Sequence, residues 1–196
     1  MNYLAHLYFA DRTGTSPAGA ILGDHVRGRL APDTRESVQS GIVLHRRIDS
    51  FTDRHPTVLA LLAAFPPHFR RYGGILVDVH FDHLLANRWA DWHDEPLPRF
   101  ADRVIAATRA EWPAWAPFPA DRLAHLPDVL TGYGERAGVA RALERVDARL
   151  RRPSPLPQAM PVLDRHQALL AQQFDAFFPA LLAYVREWVE DNLPPD

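Results

Sequence analysis

Apolar positions along the chain recur at three- and four-residue spacing, and almost no segment shows the strict alternation of a half-buried strand. The pattern predicts helices joined by proline-rich turns. Ser16-Pro17 reads as a cap and first helical position for a segment through Val26, with Gly28 as its stop. Asp33 or Thr34 opens a longer helix to about Asp53, ended by His55-Pro56 because a residue before proline resists helical geometry. Pro66 and Pro67 close a short apolar helix, and a further helix runs from Ile75 to about Trp92. Leu97-Pro98 starts another, which must end before Pro113. In the last stretch, Leu163, Leu170, Phe174, Phe177, Leu181, Val185 and Trp188 form one apolar stripe, with Pro179 kinking or dividing its helix. Residues 112–121 and 151–161 read as loops between amphipathic helices. The expected fold is all-α, a single-domain helical bundle over 1–196.

Composition sharpens this picture. With 47% hydrophobic and 23% charged residues, the chain is too apolar for disorder and suits one core. It has no cysteine, which removes disulfide scaffolds, thiolate metal sites and cysteine nucleophiles. No basic run precedes an apolar segment at the start, and no stretch of ~18 uninterrupted apolar residues occurs, so a cytoplasmic protein without a membrane span is expected. The net charge of −2 argues against a strongly basic nucleic-acid binder. Most of the 10 histidines lie between His6 and His83, among Asp24, Asp49, Asp53, Asp78 and Asp82. Chemistry belongs to the first half.

Helical spacing places His45, Asp49 and Asp53 on neighbouring turns of one face, and Asp78 and Asp82 repeat the same interval beside His80 and His83. Two acids in register repel unless a cation, an arginine or a proton intervenes. One resolution is a divalent metal between helices, held by carboxylates and neutral imidazoles. Such ligands suit Mn²⁺, Mg²⁺ or Fe²⁺, and Asp24 can add a third wall. The other is a solvated acidic face balanced by Arg46, Arg47, Arg54 and Arg88. His6, in an apolar helix, reads as a buried core histidine or as a further ligand. No nucleophile elbow or phosphate-binding glycine loop is present, and TGYGERAG at 131–138 lacks the preceding strand such a loop needs. His93-Asp94 is a literal HD dipeptide at an expected helix end.

Taken together, NYLAHLYFA at 2–10, GAILGDHVRG at 19–28, GIVLHRRIDSFTD at 41–53 and DVHFDHLLANRW at 78–89 resemble the acyl carrier protein phosphodiesterase family. The likeness returns more loosely at RLRRP, 149–153, and at 163–179. It implies Mn²⁺-dependent hydrolysis of the phosphodiester joining phosphopantetheine to a serine of holo-acyl carrier protein, on a helical fold distantly related to HD phosphohydrolases. Carried over, the implied metal ligands are Asp24, His45, Asp49, Asp78 and Asp82, with His6 and His83 as further members. Asp24-His25 and Asp82-His83 run opposite to the HD order, so ligands cannot be mapped from that wider class.

Under this reading the serine leaving group needs direct metal contact or a proton from His83 or His45, whichever is not a ligand, and Arg46 and Arg47 would grip phosphate by fork geometry. Acyl carrier proteins are acidic, so several of Arg27, Arg29, Arg46, Arg47, Arg70, Arg71, Arg151 and Arg152 are expected to surround the pocket mouth. Two alternatives remain open: a helical phosphohydrolase for a nucleotide or small phosphoester, and a noncatalytic helical module for an acidic protein.

Overall fold

The computed structural model describes residues 1–30 and 34–193. Among these, nine α-helices and no strands occur. They are α1 (Tyr3–Thr13), α2 (Pro17–Leu22), α3 (Glu36–Arg54), α4 (Pro56–Ala64), α5 (Gly73–Asn87), α6 (Leu97–Glu111), α7 (Leu126–Gly132), α8 (Arg136–Asp147) and α9 (Met160–Asn192). Short 3-10 turns join several of them.

Helix α1 is the axis of the bundle. Every residue from Leu4 to Ala10 is buried, as expected of a helix that is apolar nearly all round. It touches α2, α3, α5 and α9. Its N-terminal amides are held from another element: Asp82 on α5 accepts from the backbone N–H groups of Asn2 (3.3 Å), Leu4 (2.7 Å) and Ala5 (3.3 Å). A carboxylate at a helix N-terminus meets both unpaired donors and the positive end of the dipole.

The predicted boundaries hold at the prolines. Ser16 caps α2 by accepting from the Gly19 amide at 3.1 Å, and Pro17 takes the first helical position. The helix stops at Leu22, four residues before the expected end, and Gly28 serves in the following loop at φ +73°. Helix α3 starts at Glu36 with no side-chain cap; Thr34 offers its carbonyl to Gln39 Nε2 instead, and Asp33 lies outside the described residues. Helix α5 ends at Asn87, and a 3-10 turn covers Trp89–Asp91.

Helix α9 is a single helix of 33 residues that contains Pro179 without dividing there. The proline is on the exposed side, where a carbonyl left without its intrahelical donor is hydrated. By length and composition α9 is apolar enough to cross a membrane. Its apolar stripe of Leu163, Leu170, Phe174, Phe177, Phe178 and Leu181 is buried against α4 and α5, while Asp164, Arg165, Asp175, Arg186 and Glu187 are exposed. That distribution is how the core helix of a helical bundle is built.

Loop 112–121 packs tightly. Trp112 donates its indole N–H to the Phe118 carbonyl at 2.8 Å, and Trp112 and Trp115 cover a small second core of Leu22, Val38 and Ile42. The loop thus clamps α2 onto α3. Beneath it, Gly19 and Gly41 allow the two helix backbones to meet: a Cβ on Gly19 would lie 2.5 Å from the Val38 carbonyl oxygen, and one on Gly41 2.5 Å from that of Ser16.

Candidate metal centre

The α2–α3 contact brings Asp24, just past the end of α2, against His45 on α3. The His45 ring lies directly over Gly23, where a Cβ would stand 2.2 Å from its Cγ. The Nδ1–H of His45 donates to the Ala20 carbonyl at 2.7 Å, so Nε2 faces the opposite way, 3.1 Å from Asp49 Oδ2 and 3.4 Å from Asp24 Oδ1. From α1, His6 stacks on His45 with ring centroids 3.8 Å apart and planes 19° from parallel. Its Nε2 is 3.1 Å from Asp49 Oδ1. One ligand atom each from His6, His45 and Asp49 falls within 4.8 Å of the others.

These close approaches are ion-pair contacts whose angles fall outside hydrogen-bond geometry. Both ring nitrogens of His6, and Nε2 of His45, are buried without a hydrogen-bond partner. Buried polar atoms are almost always paired, so three orphaned imidazole nitrogens, two of them facing carboxylates, call for an explanation. A cation shared among them accounts for all but His6 Nδ1, and the donor set of two imidazoles with one or two carboxylates suits a first-row divalent metal. The Nδ1–H bond to a backbone carbonyl is the outer support that metal-bound histidines commonly have. The residues present therefore fit a divalent ion.

Electrostatics divides the two rings. Burial drives His6 down to about 4, with His45 adding to the effect, so His6 is neutral across the ordinary pH range. Burial also opposes charge on His45, but Asp24 and Asp49 outweigh it and lift the ring to about 9. Both carboxyls are held below their usual range, since His45 overcomes the burial that would raise them. In the metal-free protein, His45 carries a proton on Nε2 that a metal must displace.

Several expected site residues stand elsewhere. Asp82 is fully buried and uses both oxygens on α1 amides, so it is corrected from metal ligand to helix cap. Burial raises its carboxyl to about 7, against the pull of the N-terminal ammonium and those three amides. Asp78 lines the pocket that also holds Asp24, but offers Oδ1 to the Met1 ammonium at 2.7 Å. The repulsion expected between Asp78 and Asp82 is relieved by a cation after all, the chain's own amino group. His83 is drawn away toward α7, with Nδ1 2.6 Å from the Tyr133 carbonyl oxygen. Arg46 donates to the carbonyls of Val26 (2.7 Å) and Gly28 (3.2 Å), which ties down the loop after Asp24 and engages both terminal nitrogens of its guanidinium. Arg47 lines a different pocket, with Phe51, Arg54 and Tyr184. His93 of the HD dipeptide pairs with Asp11 at 3.4 Å and accepts from the Glu95 amide, a turn-stabilising role.

Beside the centre opens a pocket of about 490 Å³ lined by Met1, Tyr3, Asp24, His25, Arg27, Asp78 and Arg149 among others. Of the arginines expected at the mouth, Arg27 is in this lining, whereas Arg70 donates to the Phe65 carbonyl at 3.3 Å. Tyr3, His25 and Arg149 escape a reading based on helical spacing. Their signal is positional: His25 follows Asp24, Tyr3 opens α1, and Arg149 begins RLRRP. Arg149 Nη1 lies 3.3 Å from the Tyr3 hydroxyl, so the first matched segment and RLRRP meet at one wall.

The family model for acyl carrier protein phosphodiesterase matches residues 1–181. A protein of that name from Enterobacter sp. (strain 638) is 32% identical over 193 residues, covering 95% of this chain and 98% of its own. Relatives of the same name from Serratia proteamaculans and Pectobacterium atrosepticum are 31% and 33% identical, over 95% and 93% of this chain and 98% and 96% of theirs. No solved structure matches the chain. The chain belongs to the acyl carrier protein phosphodiesterase family.

Proposed function

We propose that this protein uses a divalent cation at His6, His45, Asp49 and Asp24 to hydrolyse the phosphodiester between phosphopantetheine and a serine of holo-acyl carrier protein. The products are apo-acyl carrier protein and 4′-phosphopantetheine. The single observation that carries the reading is the convergence of unpartnered, buried imidazole nitrogens on Asp49, at the edge of an arginine-lined pocket, in a chain of this family. Two imidazoles favour Mn²⁺ or Fe²⁺ over Mg²⁺, which prefers an all-oxygen shell with retained waters.

His6, His45, Asp49 and Asp24 would hold the cation, which would supply charge neutralisation at the phosphate and a more acidic water. The protein's own groups do the rest. Asp49 and Asp24 balance charge at the centre, and the Ala20 carbonyl keeps His45 Nε2 turned inward. Arg27 and Arg149 line the pocket and have guanidinium forks suited to phosphate, the part first expected of Arg46 and Arg47. As the bond from water oxygen to phosphorus forms and the bond from phosphorus to serine oxygen breaks, that serine oxygen must gain a proton. His25 lines the same pocket and is placed to hand on that proton in place of His83, although burial lowers its imidazole pKa and favours the neutral ring, so the proton must reach it during the reaction.

The test is intact-mass spectrometry of holo-acyl carrier protein after incubation with the protein and Mn²⁺. Loss of one phosphopantetheinyl group, abolished by EDTA and restored by Mn²⁺, is expected. A carrier protein of unchanged mass, or full conversion after exhaustive chelation, contradicts the proposal. A small phosphodiester cleaved while holo-acyl carrier protein stays intact would favour a small phosphoester as substrate.

A further inference from the structure

A second cleft, of about 400 Å³, adjoins the pocket beside the metal centre, and the two share Tyr3, His25 and Arg149. Its floor is apolar: Ile21, Phe118, Leu123, Leu126 and Val129. Phe118 comes from the proline-rich loop, which otherwise only clamps α2 onto α3. The His25 ring meets Phe118 edge-on, with centroids 5.1 Å apart and planes at 79°, so the junction residue is braced against the second cleft's wall.

We infer that this second cleft holds the pantetheine arm of the substrate, entered past Tyr3, His25 and Arg149. The inference rests on the reaction proposed above. That reaction cuts a phosphate carrying two substituents, a serine of a folded protein and an uncharged arm. With phosphate at the metal centre, the serine must point toward solvent, where its protein is, and the arm must leave in another direction. The arm begins with a methylene followed by a carbon bearing two methyl groups, continues with a hydroxyl and two amides, and ends in a thiol. Its dimethyl segment gains by burial against Ile21, Leu126 and Val129. The Tyr3 hydroxyl, the His25 ring and the Arg149 guanidinium gather polar partners at the junction, where the phosphate and hydroxyl would lie. An anionic head at the arginine wall and a neutral body on an apolar floor match the two connected clefts in order.

Ala148→Trp tests the assignment, because Ala148 lines the cleft yet is exposed at the end of α8, so an indole there fills the cleft without entering the core. Saturation-transfer NMR with pantetheine, which lacks the phosphate, is run on the metal-free protein and needs no turnover. Transfer to the pantetheine methyl protons is expected with the unsubstituted protein and should be lost in Ala148→Trp. KM for holo-acyl carrier protein should rise about tenfold. Thermal melting and Mn²⁺ titration show whether the variant is folded; if it is not, Phe118→Ala, which removes the wall, must weaken the same NMR signal. Hydrolysis of holo-acyl carrier protein without any pantetheine transfer, or transfer undiminished in both variants, overturns the cleft assignment and leaves the reaction standing. Transfer that depends on Ala148 and Phe118 in a protein that leaves holo-acyl carrier protein intact supports the cleft and overturns the reaction.

Discussion

A carboxylate in a helical bundle can hold a metal or a helix, and the partners of its two oxygens separate the cases. Asp82 gives both oxygens to amides at the start of α1 and has no exposure. Asp49 is 39% exposed and its oxygens face two imidazoles. Asp82→Ala should therefore lower thermal stability by about 3 kcal/mol or more, since it leaves buried N–H groups unpaired. Asp49→Asn should keep a cooperative melt and lose Mn²⁺ binding by calorimetry. The reverse pattern would exchange their roles. The titrations give a second handle. His45 is raised to about 9 from 6.5, so its contribution to metal-free stability is complete below pH 6.5 and is lost as pH rises through 9. Below pH 7 the depressed His6, which favours folding at higher pH, and the raised Asp82, which favours it at lower pH, oppose each other. Between pH 7 and 9 the metal-free protein should thus lose roughly 2 kcal/mol in denaturant melts. Over the same interval Mn²⁺ affinity should climb, up to about tenfold per pH unit, as the His45 proton becomes easier to displace. Affinity that stays flat from pH 7 to 9 would show that His45 is not a ligand.

At the scale of elements, the centre depends on how closely α2 approaches α3. Gly23→Ala would place a methyl inside the His45 ring and should weaken Mn²⁺ binding roughly 10- to 100-fold, the range typical when the support of a metal ligand is disturbed. Gly41→Ala, which meets the Ser16 carbonyl, should cost about 1–3 kcal/mol of stability. A Gly23→Ala protein with wild-type affinity would argue that the ring is free to move. The same elements explain what could be read from sequence. Helix ends at Pro17, Pro56 and Pro98 follow from local backbone chemistry, and the four-residue interval puts His45 and Asp49 on one face wherever α3 lies. Whether Asp78 and Asp82 turn to that face depends on the position of α5 around α1, which periodicity does not contain. Asp82 mimics a ligand because a buried helix end and a metal both attract a carboxylate. Arg46 likewise sits beside His45 in sequence, yet loop carbonyls capture it. His25 and Arg149 meet at one pocket only through tertiary packing, so helical spacing carries no sign of it.

For the molecule as a whole, the proposed reaction would bring an acidic protein to a centre that itself holds Asp24 and Asp49, on a chain of net charge −2. Arg27 and Arg149 line the pocket beside the centre, and Arg122 and Arg145 line the adjoining cleft. Exposed charges of this kind act chiefly on encounter and are screened over ~8 Å at physiological salt. Paired reversal, Arg27→Glu with Arg29→Glu, should lower kcat/KM for holo-acyl carrier protein and flatten its dependence on salt. Unchanged kinetics at low ionic strength would place docking on another face. The claim on which all of this rests is that His6 and His45 bind one cation together, and pulsed electron paramagnetic resonance of Mn²⁺ added to metal-free protein tests it most directly. The account predicts electron–nuclear couplings to two imidazole nitrogens, one lost in His6→Ala and the other in His45→Ala. A spectrum with water couplings and no nitrogen would contradict it.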